Sequence, residues 1–331
     1  MNLPLRRSLA RLLLAASLVV SPAAVLAAQP GAKTAARKKA SAPVQVKGTR
    51  VTLKPPEGFT EATRFNGFEQ EASGASLMVT EYPGPYAVAV QGFTAENMAK
   101  QDMKVLSRKP AKVGRRTGLL LHLRKTGPKG TFLKSVLVLG DASNTVVLNA
   151  SWPEDAPKAL GKALESALRS ARWEPSAEPA PGLVLFTLKE TPGLKEAQRL
   201  QNAIAYTPDG APPKAPEVAP FFIVLPSLTT ASVGEDLEAF NLERLRQPPG
   251  GEEVTVESSA PLTVGDLKGH EAVGRAKHPT TGKEFALYQA VLVDVDRYFL
   301  LQGFTPLAER ATYLEHFQRI TRGFQPTAST P

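Results

Sequence analysis

The stretch KVGRRTGLLLHLRKTGPKGTFLKSVLVLGDASNTVVLNASWP runs from Lys112 to Pro153, and TVGDLKGHEAVGRAKHPTTGKEFALYQAVLVDVDRYFLLQGFTP runs from Thr263 to Pro306. Val113-Gly114 and Val264-Gly265 lie 151 residues apart, as do Gly118 and Gly269, and Trp173 and Phe324. Pro153 and Pro306 lie 153 apart. Near-constant spacing between such sparse residues marks one structural unit used twice with small changes of loop length. Each stretch is followed by a helical segment and then an aromatic, in RSARWEP and RITRGFQP.

Working outward, apolar or alternating runs predict strands at Val51–Leu53, Ser76–Val79, Leu119–Leu123, Phe132–Leu139 and Val146–Trp152. Gly127-Pro128-Lys129-Gly130 and Thr281-Gly282 fall where hairpins must turn. A closing helix is expected from Pro153-Glu154-Asp155, with Leu160, Ala163, Leu164, Ala167, Leu168 and Ala171 on one side. Its counterpart offers Leu307, Ala311, Leu314, Phe317 and Ile320. Shorter helices are expected at Thr94–Asp102 and Glu235–Leu242. Hairpin-length connections make the sheets mainly antiparallel. The expected class is α+β: two repeated units, each a mainly antiparallel sheet packed with helices.

The ends carry a different composition. Arg6, Arg7 and Arg11 precede an apolar run, Leu12 to Val20, and small residues through Ala27 and Ala28. This is the form of a secretory signal peptide cleaved after Ala27 or Ala28. A retained anchor is disfavoured, because Ser21-Pro22 interrupts a run that is already short for a span. Arg6-Arg7 raises twin-arginine export, but Leu5 stands where that signal usually has Ser or Thr. The organisation read from these shifts is a signal peptide at 1–27, a disordered basic linker at 28–49 and a first domain at 50–175. A linker at 176–181, a divergent second domain at 182–326 and a tail at 327–331 complete it.

The chain of 331 residues has 42% hydrophobic and 21% charged residues and no cysteine, which excludes wholesale disorder, disulfides and thiolate metal sites. Its net charge of +9 is carried by the leader (+3) and residues 28–50 (+6), so the rest is neutral. A nucleic-acid partner is therefore not expected. Locally, residues 51–175 carry 17 Lys/Arg against 12 Asp/Glu, and residues 176–331 carry 14 against 19. Lys100, Lys104, Arg108, Lys109, Lys112, Arg115 and Arg116 face only Asp102 over 17 residues. Such a run is either a patch for an anionic partner, a docking face for the acidic second unit, or a solvated edge.

The LKPPEGF stretch at 53–59, GASLMVTEYP at 74–83, the Val-Gly…Gly pair before a hairpin and the terminal helix ending in an aromatic resemble the PsbP-like fold. That fold is shared by the lumenal photosystem accessory protein and bacterial DcrB-type proteins. The resemblance covers residues 50–175 and, more weakly, 182–326, where PPEGF has no counterpart and TPDGAPPKAPEVAP (207–220) is inserted. It implies tandem PsbP-like domains, each an α/β/α sandwich. Members of the family mostly bind or stabilise partners and share no active site, so it implies no catalytic residue.

Chemical motifs point the same way. His270-Glu271 opens like a zinc helix, but Gly274 stands where the second histidine belongs. His270 and His278 approach only if a hairpin brings them together; His122 and His316 read as isolated. Lys125-Thr126-Gly127 copies one β-lactamase motif without the Ser-x-x-Lys nucleophile, and Thr281-Gly282-Lys283 lacks the spacing of a P-loop. Trp152 and Trp173 read as core. No cofactor, metal site or catalytic residue is expected, and the oligomeric state is left open. The reading is an exported, non-catalytic binding or accessory protein of the cell envelope, periplasmic or secreted, without a membrane span after cleavage. Its partner is a protein or an anionic envelope component. The alternative is an envelope hydrolase with a motif-free site between the domains. N-terminal sequencing of the exported protein should begin at Ala28 or Gln29; an intact Met1 in the envelope fraction would overturn the leader.

Overall fold

Leu119 to Leu121 and Val136 to Leu139 are buried at every position, although a sheet with one wet face needs only alternate residues to be apolar. The reason is visible in the computed structural model, which describes residues 42–127, 130–228, 233, 236–295 and 297–327. Helical segments cover both faces of each main sheet. The leader and residues 28–41 lie outside the described residues.

The chain divides into two compact units, one ending at Leu183 and the other beginning at Val184. The first contains β1 (Val44–Gln45), β2 (Val51–Leu53), β3 (Thr60–Glu61), β4 (Gly67–Gln70) and β5 (Ala75–Pro83). Two short helices follow, α1 (Tyr86–Ala89) and α2 (Ala95–Ala99). The Thr94 hydroxyl caps α2 by accepting from Asn97 N at 3.2 Å. Then come β6 (Met103–Val113), β7 (Arg116–Gly127), β8 (Gly130–Gly140), β9 (Asn144–Pro153), α3 (Lys158–Arg169) and β10 (Arg172–Trp173). Seven strands form one antiparallel sheet in the order β3-β4-β5-β9-β8-β7-β6. Leu120, Leu137, Leu148 and Val79 stand opposite one another in register and pack on Leu164, Ala167 and Leu168 of α3. The other face carries Leu121, Val136 and Met78 and is closed by the α1–α2 segment, where Phe93 and Met98 are buried. β1, β2 and β10 form a small sheet of their own.

The second unit repeats the plan. Its elements are β11 (Phe186–Leu188), β12 (Lys195–Leu200), β13 (Ala203–Thr207), β14 (Phe221–Pro226), α4 (Leu237–Leu245) and β15 (Glu252–Val264). β16 (Leu267–Lys277), β17 (Glu284–Val293), β18 (Tyr298–Pro306), α5 (Arg310–Arg322) and β19 (Phe324–Pro326) complete it. The sheet order is β12-β13-β14-β18-β17-β16-β15, position for position that of the first unit. Phe317 of α5 presses so close that a β-carbon at Gly303 would lie 2.2 Å from its ring. On the opposite face Leu245 of α4 joins Ala272, Leu287 and Phe304. A buried polar chain also runs there: Gln302 donates to Gln289 Oε1 at 2.8 Å, and Gln289 Nε2 donates to Asn241 O at 2.7 Å. The inserted 207–220 segment occupies the turn between β13 and β14, where the first unit has only the 3-10 turn Glu71–Ser73.

Several sequence expectations need correction. Residues 42–49 are not a free linker: β1 pairs with β2, and Val46 and Thr49 are buried. Two valines at alternate positions suffice to seat this strand, although the segment has no larger apolar side chain. Nor does 176–181 hang free. Ala180 N donates to Thr49 O at 3.1 Å, Gly48 N donates to Ala180 O at 3.0 Å, and Gln45 Nε2 donates to Glu178 O at 3.2 Å. Thr327, assigned to the tail, holds Val184 O through its hydroxyl at 2.6 Å. α3 starts at Lys158, because Pro157 takes an extended conformation before it, and Ala163, Leu307 and Ala311 are exposed rather than core. Trp173 is buried, whereas Trp152 is only half-buried against Gly161.

Gly114 and Gly265 each open a two-residue hairpin loop with φ of +58° and +56°. Gly118 and Gly269 answer a different need, since a β-carbon would lie 2.4 Å from Val138 O in one case and 2.2 Å from Val291 O in the other. Gly118→Ala and Gly269→Ala should therefore each destabilise their own unit by ~1–3 kcal/mol. Hydrogen exchange resolved along the chain checks this; protection lost equally in both units would contradict independent folding frames.

Candidate functional site

β6 lies at the edge of its sheet, with a neighbour on one side only. Strand alternation splits its cations between the two faces. Arg108 stands opposite Leu121 and donates from Nε to Phe93 O at 3.3 Å, on the α1–α2 side. Lys104 stands opposite Arg124, and Lys109 opposite Leu120, on the α3 side. Lys100 follows α2 and pairs with Glu96 at 3.1 Å. Arg116, at the start of β7, lies over the Trp173 ring at 4.5 Å. Lys104, Lys109, Lys112 and Arg115 are exposed, and among the described residues no carboxylate lies within ion-pair distance of them. The seven residues named from the sequence thus share one edge but play different parts. Two carry structural contacts to Phe93 O and Trp173, one is neutralised on its own helix, and four are open cations.

β6 also contains a bulge. Val105 pairs with Leu123 and Ser107 with His122, so Leu106 is the extra residue, half-exposed. The insertion turns Ser107, rather than Leu106, toward His122. Ser107 Oγ lies 2.7 Å from His122 Nδ1. On the far side of the ring, Nε2 lies 3.6 Å from Glu165 Oε2 of α3. Arg169 holds the other oxygen, Oε1, at 2.8 Å from Nη2. The Arg169 hydrogen bonds foremost, then the charges of His122 and Lys109, hold the Glu165 carboxyl below the usual range. His122 is therefore not isolated, as the sequence suggested. Pairing across a bulge was not legible without the register.

The second unit gives an internal comparison. Counting by the same 151-residue offset, the strand pairing keeps Pro261 in the place of Pro110 and Ser258 in the place of Ser107. Lys104, Arg108, Lys109, Lys112 and Arg115 correspond to Thr255, Ser259, Ala260, Thr263 and Asp266, and His122 to Val273. Matching the buried Leu164 and Phe317 puts Gln318 where Glu165 stands. The frame is common to both units; the cations and the histidine belong to the first.

The remaining histidines stay apart. His270 is buried opposite Val291, His278 accepts from Thr281 N at 3.2 Å beside Glu217, and His316 lies against Gly193. Among the described residues no group of three His, Asp or Glu side chains is placed to hold a metal, and no helix is long and apolar enough to cross a membrane.

A buried cation lies on the α1–α2 side of the first sheet. Lys134, on β8, is 1% exposed and donates to Ser151 Oγ at 3.2 Å. Burial, aided by the charge of Lys125, pushes its amine down to about 7. Leu287 fills the corresponding place in the second unit.

No family model matches the chain, and no curated protein matches it. Solved structures do. Cyanobacterial PsbP from Synechocystis sp. PCC 6803 is 14% identical, covering 44% of this chain and 98% of that one, with a TM-score of 0.31. LpqN of Mycobacterium tuberculosis, involved in cell envelope biogenesis, is 16% identical over 45% of this chain and 86% of that one, with a TM-score of 0.32. The type VI secretion immunity protein TplEi of Pseudomonas aeruginosa is 11% identical over 86% of this chain and 98% of that one, with a TM-score of 0.29. The chain spans about half (53%) of a further match, from Bacteroides thetaiotaomicron.

The Lys134 amine titrates far below an unfolded lysine, so its burial costs stability wherever the unfolded chain is protonated. The cost is full below about pH 7 and fades as pH rises toward the ordinary lysine value of 10.5. Lys134→Met should raise the unfolding free energy by on the order of a few kcal/mol at pH 6, and by much less at pH 10. Denaturant titrations at the two pH values check this; an equal gain at both would refute an amine lowered by burial.

Proposed function

We propose that this is an exported protein of the cell envelope, periplasmic or secreted, built of tandem PsbP-like (DcrB-type) modules, which works by non-catalytic binding. Its partner is a protein or an anionic envelope component held at the β6 edge. The observation that carries the reading is the set Lys104, Lys109, Lys112 and Arg115: exposed, on one edge, and with no carboxylate within ion-pair distance among the described residues. Cations left uncompensated on a folded surface raise the association rate and affinity for an anionic surface.

Strand addition is a poor mode of binding here. Counted back from the two-residue loop, whose flanking pair Val113–Arg116 is hydrogen-bonded, Lys112 and Pro110 face the open edge. Pro110 offers no N–H there, and the bulge at Leu106 bends the strand. Recognition is through side chains.

The structure also selects the variant. Arg108 and Arg116 support Phe93 O and Trp173, so reversing them would confound binding with folding. Lys104→Glu, Lys112→Glu and Arg115→Glu together should leave the melting temperature unchanged. The same triple variant should elute from immobilised polyglutamate at lower salt than the wild type. Elution at the same salt would overturn the assignment of the surface.

A further inference from the structure

We propose that Ser107, His122 and Glu165 form a nucleophile, base and orienting carboxylate that hydrolyse carboxylic esters bearing a negative charge. The inference keeps the anion-binding edge of that reading and departs from its non-catalytic part: a surface that only holds its partner has no use for a serine paired with a histidine.

Three observations combine. First, Ser107 Oγ is within hydrogen-bond reach of His122 Nδ1, at 2.7 Å. Second, Glu165 Oε2 faces Nε2 at 3.6 Å while Arg169 occupies Oε1, so the carboxylate is fixed and turned toward the imidazole. With the carboxylate on that side the ring proton belongs on Nε2, and Nδ1 is left to accept from the hydroxyl. The Nε2–Oε2 distance is longer than a hydrogen bond, as is common before substrate closes such a site. Third, the second unit keeps the bulge and the serine, Ser258, but has Val273 and Gln318 in place of the histidine and the carboxylate. The fold by itself requires neither of them.

The chemistry is ordinary acyl transfer. Ser107 Oγ bonds to the ester carbonyl carbon as its proton passes to His122 Nδ1, and the carbonyl electron pair moves onto oxygen. As the intermediate collapses, the bond to the leaving oxygen breaks and that oxygen takes the proton from His122. Water then attacks the acyl-Ser107, giving a proton to His122; the carboxylic acid leaves and Ser107 regains its proton. Lys109 stands on the same face as Ser107, two residues along the strand. Its ammonium group favours an anionic ester and the developing oxyanion. Sequence reading missed the group because its members are far apart in the chain and the bulge hides the pairing.

The test uses the mature full-length protein. A fluorophosphonate should label Ser107 and leave Ser258 unlabelled, as mapped by peptide mass spectrometry. Release of nitrophenolate from a nitrophenyl monoester of succinic acid should exceed that from the neutral butyrate. Ser107→Ala and His122→Ala should each reduce it by about 100-fold or more. Glu165 acts through His122 as a positioning residue. Glu165→Gln should lower kcat by roughly 10-fold and leave KM unchanged, since it touches the imidazole and not the ester. Absence of label on folded wild-type protein, which needs no variant to interpret, would overturn the proposal. Hydrolysis undiminished in Ser107→Ala would do the same. The two readings separate cleanly: Ser107→Ala should retain polyglutamate binding, and the triple charge reversal should retain fluorophosphonate labelling.

Discussion

In each unit the sheet depends on one long-range pairing, β5 with β9 and β14 with β18, which no hairpin supplies. Leu77 meets Ala150 and Val79 meets Leu148 in the first unit; Val224 meets Leu301 and Phe222 meets Gly303 in the second. Strands in this position lose water on both faces, so both faces must be covered, and that requirement places a helix on each side. It also removes the usual guard on register. A one-residue slip of β8 would exchange Leu137 with Val136, both fully buried, at little cost in polarity. Register must come from shape instead. Gly118 and Gly269, each too close to a neighbouring carbonyl for any side chain, provide it at the same point in both frames.

The features legible in the sequence were those that punctuate. Glycines in hairpin loops, prolines at strand ends and continuous apolar runs placed the repeat, the strand order by hairpins and the long helices. Local composition misled where contacts are made by backbone. Residues 42–49 and 176–181 are poor in large apolar side chains and read as linkers, yet they are laced together by main-chain hydrogen bonds. One buried carboxylate ties together the residues that flank them. Glu81 accepts from Arg50 N at 2.8 Å and from Trp173 Nε1 at 2.9 Å, joining the entry and exit strands of the unit. Nothing in the sequence near residue 81 announces that role, because its partners are distant in the chain.

The candidate site was half legible. Its charge could be counted along the chain, but the way it divides could not. Alternation sends Arg108 to one face and Lys109 to the other, and the bulge at Leu106 resets the alternation in between. A count of charges in a window treats these residues as one patch, whereas the fold makes them a rim. The Ser107–His122–Glu165 group is built from that bulge, from a cross-strand neighbour and from a helix beyond two further strands, so no window contains it.

Edge strands need protection from pairing with other chains, and charged residues commonly supply it. Protection by itself would explain the cations of β6 without any partner, were it not for β15. That strand is the edge of the second sheet, carries Pro261 at the place of Pro110, and is bulged near the same point. Its guard is thus the same in kind. Yet its charges, Glu252, Glu253 and Glu257, are of opposite sign, and two of them are compensated, Glu253 by Lys277 at 2.5 Å and Glu257 by Arg275 at 2.6 Å. At each place where β6 has an open cation, the second unit has Thr255, Ala260, Thr263 or Asp266. A proline, a bulge and a neutralised surface are enough to keep β15 from pairing. Protection alone thus accounts for Pro110 and the bulge in β6, but not for four exposed cations without an ion-pair partner among the described residues, and it is on this excess that the proposal of an anionic partner rests.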